Sequence, residues 1–150
     1  MILWRRPGVL RVKVLGLVWR GSQLLAAELP DDNGKILGVR PLGGTIEFGE
    51  TREQALTREF REELGCSIDI IGPWLAIENI FEHQGVPGHE FVFATDIQLH
   101  EPNYYAMDTI EVVEHDQSKC TARWFEPHAL PDDVALCPSG LGQLLKERAM

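Results

Sequence analysis

The stretch GGTIEFGETREQALTREFREELG, Gly43 to Gly65, carries the strongest structural signals in this 150-residue chain. Thr51 and Gln54 have the spacing of a capping box, in which the threonine side chain and a residue three positions later each accept a backbone N–H of the other. Gly65 stands where a left-handed C-terminal cap is expected. The stretch therefore predicts a helix over residues 52–64 that follows a glycine-rich loop.

The predicted helix has an acidic face. At about 100° per residue, Glu59, Glu62 and Glu63 fall at positions i, i+3 and i+4 and form one patch. An apolar stripe lies roughly 120° from that patch by the same arithmetic. It consists of Leu56, Phe60 and Leu64. The stripe can therefore pack on a sheet while the carboxylates face a cleft.

Three clustered carboxylates repel one another unless a positive group lies among them. A hard divalent cation such as Mg²⁺ or Mn²⁺ fits, because these cations prefer oxygen ligands. Arg58 can reach Glu62 at i+4, and Gly43 and Gly44 allow the loop backbone to approach a ligand closely. For a bare E-x-x-E-E pattern, a solvated acidic surface is the simpler explanation.

A longer pattern favours the metal site over the solvated surface. From Gly44 the sequence reads G-x5-E-x7-R-E-F-R-E-E-L-G-C and ends at Cys66. It resembles the signature box of the Nudix hydrolases, G-x5-E-x7-R-E-U-x-E-E-x-G-U, in which U is apolar. Seven fixed identities match. At a background of ~1 in 14 per position, chance agreement is on the order of 10⁻⁸.

The resemblance implies an α/β fold, the Nudix-type α/β/α sandwich with a mixed β-sheet, in which the box forms a loop-helix-loop motif. It implies one domain over residues 1–150. It also implies hydrolysis of the pyrophosphate bond of a nucleoside diphosphate linked to another group, with Mg²⁺ or Mn²⁺ as cofactor. By position in the box, the implied metal ligands are Glu59, Glu62, Glu63 and the backbone near Gly44.

Residues around the box receive further expected roles. By the same resemblance, Arg58 orients a box glutamate and Glu50 supports the loop. Many relatives read P-G-G before the helix, whereas here the segment is PLGG, residues 41–44, so Gly43 is retained beside the expected substrate. Arg40 is either a contact to a substrate phosphate or an exposed arginine at a strand end.

Family members differ in which glutamate is the general base. Glu59 is one candidate inside the box, and Glu90, Glu111 and Glu114 are candidates outside it. Glu90 opens a strand and could instead be an edge charge. Glu111 and Glu114 lie in a polar segment and could instead be solvated loop residues.

The composition restricts the function classes. The formal net charge of −9 argues against long nucleic acid as a partner, because phosphate-backbone binding needs a basic surface. No apolar run approaches the roughly 20 residues of a membrane span, and no signal peptide is recognised, so we expect a cytoplasmic protein. Three cysteines without a CxxC pair disfavour a disulfide framework and a zinc site. A small nucleotide-type substrate remains, and dimers are common in the resembled family, so a homodimer is possible.

Outside the box, alternation and turn residues predict the remaining elements. Strands are expected over residues 10–19, 24–29, 36–39, 90–99 and 121–125, with one or two strands over 66–81. A hairpin turn is expected over 82–89, a long loop or lid over 102–119, and a second helix over 139–150. Two other functions fit the same fold: a binding or sensor domain without catalysis, and a metal-dependent isomerase.

Overall fold

The computed structural model describes residues 8–83 and 85–149. A short 3-10 helix at Pro102–Ala106 lies among the strands. In chain order the strands and helices are β1 Leu10–Arg20, β2 Gln23–Pro30, β3 Ile36–Thr45, α1 Arg52–Leu64, β4 Ile68–His83, β5 Val86–Leu99, β6 Thr109–Val113, β7 Lys119–Phe125, β8 Ala135–Leu136 and α2 Leu141–Ala149. Neither helix in these ranges is long and apolar enough to cross a membrane.

The strands form one mixed sheet in the order β4-β5-β1-β3-β2-β7-β6, with β8 beside β3. β1 runs parallel to β5 and β8 runs parallel to β3, whereas the other pairs are antiparallel. β3 joins the two halves of the sheet. Its first half pairs with β2, and its last residues, Leu42 to Thr45, pair with β1. The glycine-rich end of β3 is therefore held at the centre of the sheet.

Two hydrophobic cores lie on opposite faces of this sheet. Successive strand residues point to opposite faces, and β1 illustrates the division. Val14 and Val18 belong to the core that contains Leu56 and Phe60 of α1. Leu15 and its neighbours belong to the core that contains α2. The predicted α/β/α sandwich with a mixed sheet is therefore confirmed.

Helix α1 has the predicted limits and the predicted caps. The Thr51 hydroxyl accepts from the Gln54 N–H at 3.1 Å, and the Gln54 side chain accepts from the Thr51 N–H at 3.0 Å. Gly65 has φ of 65°, and its N–H donates to the Arg61 carbonyl at 2.9 Å. These local interactions fix where the helix begins and ends, independently of the sheet.

The expected long loop or lid over residues 102–119 is wrong. This segment contains the 3-10 helix and β6, which pairs with β7. Ile110 and Val112 alternate with exposed residues and are buried against α1, and the Tyr104 hydroxyl donates to the Leu64 carbonyl at 2.6 Å. The apolar positions in β6 are too few to stand out from the polar residues around them.

Several element boundaries also differ from the predictions. β3 extends to Thr45, because its second half finds a partner in β1. Residues 66–81 contribute one strand, β4, with an irregularity between Ile70 and Trp74. The β4–β5 ladder continues to the pair His83 and Val86, so the turn is shorter than predicted; Gln84 lies outside the described residues. The short strand β8 was not predicted. Residue 150, which the prediction includes in the second helix, also lies outside the described residues.

Gly16 of β1 sets the distance between the sheet and α1, which leads to a stability prediction. A Cβ at this position would lie 2.6 Å from Cε2 of Phe60 and 2.7 Å from Cδ1 of Ile97. We expect Gly16→Ala to lower the free energy of unfolding by about 1–3 kcal/mol, because overpacking forces the buried ring to move. Gly8→Ala is the control, since a Cβ there meets no atom within 4 Å. Urea unfolding measures both, and equal stabilities would contradict the prediction.

Candidate active site

Arg58 joins the box loop to the acidic face of α1. Its guanidinium binds Glu50 with both carboxylate oxygens, at 2.7 Å from Nε and 2.9 Å from Nη2. Nη2 also donates to the Thr45 carbonyl at 3.0 Å. Nη1 donates to Glu59 at 3.0 Å and to Glu62 at 3.4 Å, so the predicted reach to Glu62 is present. One side chain thus fixes the end of β3, the loop and two box glutamates.

The charges of Arg58 and Glu50 support the same arrangement. The hydrogen bonds from Arg58, and then that from the Glu47 N–H, lower the pKa of Glu50 to about 2. The pKa of Arg58 is raised, first by its hydrogen bonds to Glu50. Both groups therefore stay ionised at neutral pH, and the loop keeps its bidentate anchor.

Gly44 allows Glu59 to lie directly on the backbone of β3. A Cβ at Gly44 would overlap the carboxyl group of Glu59. Gly43 is equally constrained, since its Cβ would meet the Val14 carbonyl oxygen and lie 2.9 Å from the Leu15 Cα. The two glycines therefore bring a carboxylate against the main chain, where a backbone carbonyl and a side-chain oxygen can share one ligand.

Glu63 is the most perturbed carboxyl in the box. Glu59 and Glu63 are both 8% exposed, whereas the Glu62 side chain is 47% exposed. Burial raises the pKa of Glu63 to about 9, and the negative charges of Glu59 and Glu114 act in the same direction. Arg40 opposes this shift. In the metal-free protein Glu63 thus holds a proton at neutral pH.

The acidic face of α1 borders a cavity of about 640 Å³. The lining comes from β1, the end of β3, the box loop, α1 and the turn between β6 and β7. Its residues are Lys13, Arg40, Gly43, Gly44, Thr45, Glu47, Glu59, Glu62, Glu63, Val113, Glu114, His115 and Gln117. The predicted metal ligands, Arg40 and Gly43 therefore share one open cavity.

The donor set of this cavity suits a hard divalent cation. Its carboxylates are those of Glu47, Glu59, Glu62, Glu63 and Glu114, all oxygen donors. No three Asp, Glu, His or Cys side chains of the described residues converge as a ready metal-binding group. Glu59 is paired with Arg58, and Glu63 is buried with a raised pKa. A cation fits here if Glu63 loses its proton.

The candidate general bases separate in space. Glu59 and Glu114 line the cavity, and the thiol of Cys120 donates to Glu114 Oε1 at 3.0 Å. Glu111 is exposed on β6 and pairs with Lys119 at 2.8 Å, away from the cavity. Glu90 is not a lining residue and pairs with Lys13 at 3.2 Å. The geometry therefore favours Glu59 and Glu114 over the other two.

Arg40 lies half-buried on β3 and points to the cavity. Its Nε is buried and has no hydrogen-bond partner. Among residues 8–83 and 85–149, no carboxylate forms an ion pair with it. This environment differs from that of an exposed strand-end arginine, which was the alternative from the sequence.

Several residues that line the cavity were not predicted from the sequence. They are Lys13, Thr45, Glu47, Val113, His115 and Gln117. Lys13 had one usable sign, since its charged side chain stands between Val12 and Val14 in a mostly apolar strand. The residues of the β6–β7 turn carry no such sign, because the polar segment around them predicts a loop.

Comparison with known proteins agrees with the box and with the fold. Residues 9–141 match the NUDIX domain family. The chain belongs to the NUDIX family. The match covers both halves of the sheet as well as the box. It supports the hydrolase function that the box sequence predicts.

Proteins similar in sequence include the nucleoside triphosphatase NudI of Enterobacter sp. (strain 638), with 37% identity over 73 residues, 47% of this chain and 52% of that protein. Its counterpart from Shigella flexneri is 38% identical over the same length. The chain thus spans about half the length of the relatives it matches, with the similarity confined to that part.

Solved structures extend the likeness to nearly the whole fold. The solution structure of the E. coli ORF135 protein has a TM-score of 0.59 at 22% identity and covers 95% of this chain and 91% of that one. The crystal structure of a MutT NUDIX hydrolase from Burkholderia pseudomallei has a TM-score of 0.56 at 17% identity, with 95% and 99% covered. At these identities the likeness shows the fold, which confirms the expected NUDIX architecture.

The buried carboxyl of Glu63 predicts a pH-dependent stability for the metal-free protein. Its pKa is raised from 4.5 to about 9, so between these values the folded state keeps a proton that the unfolded chain loses. The contribution of Glu63 to the free energy of unfolding is therefore greatest below pH 4.5. It falls as the pH rises toward 9, by at most about 1.4 kcal/mol per pH unit. Glu63→Gln stays neutral and should lack this decline.

Thermal unfolding in EDTA between pH 6 and 8 measures the difference. The stability of Glu63→Gln relative to the native protein should rise across this range. Glu62→Gln, a change at an exposed neighbour on the same helix, is the control. A constant difference between native protein and Glu63→Gln would show that Glu63 is ionised throughout.

Proposed function

We propose that this NUDIX protein is a divalent-metal-dependent hydrolase that cleaves the pyrophosphate bond of a nucleoside diphosphate linked to another group. The observation that supports this most is the contact between Glu59 and Gly44, held by Arg58 at the edge of the cavity. It brings the box glutamates, the end of β3 and a solvent-accessible cavity together. A merely acidic surface helix needs none of these contacts.

The residues proposed to hold Mg²⁺ or Mn²⁺ are Glu59, Glu62 and Glu63, with a backbone carbonyl near Gly44. When bound, the cation would polarise the phosphate oxygens and neutralise the charge that grows on the leaving group. Glu63 would have to lose its proton to solvent in order to bind the cation, since its pKa is about 9. Arg40, with its unpartnered Nε, is proposed to donate to a substrate phosphate.

Nucleoside triphosphates are the first substrates to consider. The relatives with 37–38% identity over 73 residues are nucleoside triphosphatases by name, and their matched stretch covers about half of each chain. A nucleoside triphosphate has the pyrophosphate bond that the proposed chemistry requires. Sugar nucleotides and dinucleoside polyphosphates have the same bond and belong in the same assay.

The first experiment measures product release from nucleoside triphosphates, sugar nucleotides and dinucleoside polyphosphates, with Mg²⁺ and with Mn²⁺. Glu62→Gln should retain the fold, because the side chain is half-exposed, and should lose roughly 10²-fold or more of the rate. Glu53→Gln is the matched control: its side chain, 50% exposed on the same helix, lies outside the cavity lining.

The products identify which phosphorus is attacked, and chelation with EDTA should abolish the reaction. Equal rates for native protein and Glu62→Gln would contradict a metal site at the box. Binding of a nucleotide without any turnover would instead support the sensor domain that the same fold allows.

Glu114 is our candidate for the general base. It lines the cavity from the β6–β7 turn, across from the helix that carries the other carboxylates. Cys120 donates to Oε1, which orients the carboxylate, and we assign Oε2 to the proton of the attacking water. Glu59 is the alternative, but its Oε1 already accepts from Arg58.

The hairpin supplies its own matched pair for testing this assignment. Glu114→Gln should lower kcat by about 10²-fold or more, since general bases contribute roughly 10²–10⁴-fold. Glu111→Gln, three positions earlier and facing away from the cavity, should change kcat less than about twofold. A Glu114→Gln enzyme with native kcat would leave Glu59 as the base.

A further inference from the structure

The ion pair between Lys13 and Glu90 is largely buried. Lys13 Nζ lies 3.2 Å from Glu90 Oε2, and the two side chains are only 19% and 13% exposed. Lys13 is on β1 and Glu90 on the parallel neighbour β5, two positions apart in register, since Glu90 lies opposite Arg11 and Lys13 opposite Val92. Removing two charges from water costs free energy that their attraction often does not recover. Fold stability is therefore a weak explanation for this pair.

The two partners differ in their access to the cavity. Lys13 is a lining residue, whereas Glu90 is not. The arrangement thus presents a cation to the cavity and keeps its counter-charge behind it. A general base needs the reverse arrangement, with the carboxylate in contact with the reacting water.

The charge balance of the cavity indicates a role for Lys13 in binding an anionic substrate. Five carboxylates line it, and the only cationic side chains in the described lining are Lys13 and Arg40. A substrate with several phosphate charges would be repelled by this wall without cations. A bound metal would offset part of the repulsion, and direct contacts from lysine and arginine would offset more.

Lys13 is also close in the sheet to the expected metal ligands. It lies opposite Thr45 in the β1–β3 ladder, next to the pair of Val14 with Gly44. Gly44 is the residue against which Glu59 packs. Arg40 is five positions before Thr45 on β3, a distance of roughly 16 Å along an extended strand. The two cations therefore enter the cavity at different places: Lys13 lies beside Gly44 in the sheet, and Arg40 lies near enough to Glu63 to oppose the rise of its pKa.

We propose that Lys13 binds a phosphate oxygen of the substrate directly, and that Glu90 is a positioning residue that holds the Lys13 ammonium at the cavity wall. This inference rests on the proposed function of the same cavity. It assigns Glu90 to substrate binding through Lys13 and not to proton transfer. Lys13 thereby selects for ligands that place a phosphate beside the metal-binding residues.

The test measures binding and turnover separately. The binding probe is imidodiphosphate, the P–N–P analogue of pyrophosphate, titrated calorimetrically in the presence of Mg²⁺. Lys13→Met alone leaves the Glu90 charge buried without a partner and could unfold the protein. The double variant Lys13→Met/Glu90→Gln removes both charges and keeps the fold testable. Lys35→Met/Asp133→Asn is the matched control, because it removes an exposed pair at 3.6 Å outside the cavity lining.

We expect the double variant to bind imidodiphosphate about 10- to 100-fold more weakly than the native protein, since a charged hydrogen bond is lost. For a nucleotide that the native enzyme cleaves, KM should rise by a similar factor while kcat changes less than about threefold. Lys13→Arg should recover part of the affinity. Glu90→Gln should weaken binding less than the double variant and leave kcat close to native. The control should match the native protein.

Three results would overturn the proposal. The first is native affinity for imidodiphosphate in the double variant, and the second is a native protein that does not bind the probe. The third is a Glu90→Gln variant with native affinity and a kcat reduced by about 10²-fold or more, as expected of a general base. If the native protein binds imidodiphosphate but cleaves no nucleotide, the hydrolase proposal fails, and the affinities still decide the role of Lys13.

Discussion

The guanidinium of Arg58 is the interaction on which the candidate site depends. It holds Glu50 with both carboxylate oxygens, the end of β3 through the Thr45 carbonyl, and Glu59 and Glu62 on the helix. A planar fork with five N–H donors can make these contacts at once, whereas a lysine ammonium cannot match the bidentate geometry. The loop is thus tied to the helix by hydrogen bonds, so the shape of the cavity wall does not depend on a bound ligand.

Helix α1 can carry its acidic face because its apolar side is buried against the sheet. Phe60 is fully buried and touches the sheet where Gly16 leaves room for its ring. This packing presses Glu59 against Gly44 and buries Glu63, whose carboxyl then keeps its proton. The fold thereby holds a cluster of carboxyl groups of which one is neutral. The retained proton reduces repulsion among these carboxylates in the folded protein, and under the proposed function its release would couple cation binding to pH.

The sequence determines the helix and its loop locally, which is why these could be predicted. Thr51, Gln54 and Gly65 act within one turn of each helix end, and the box spacing is a property of one helix. The cavity's opposite wall depends on contacts between distant segments. Nothing in the local sequence distinguishes Glu111, which pairs with Lys119, from Glu114, which lines the cavity. The direction of a side chain on β6 is set by its register with β7, and that register needs the complete sheet.

The two walls of the cavity therefore have different physical roles. The wall from β3 and α1 is rigid and rich in carboxylates, and it repels a polyphosphate unless cations intervene. Lys13 and Arg40 approach from the strands, where backbone pairing fixes their positions. The turn after Val113 contributes His115 and Gln117, whose side chains can donate and accept hydrogen bonds. Under the proposed function, the sheet and helix would contact the phosphates, whereas the turn would supply the general base Glu114 and further hydrogen bonds to the substrate from His115 and Gln117.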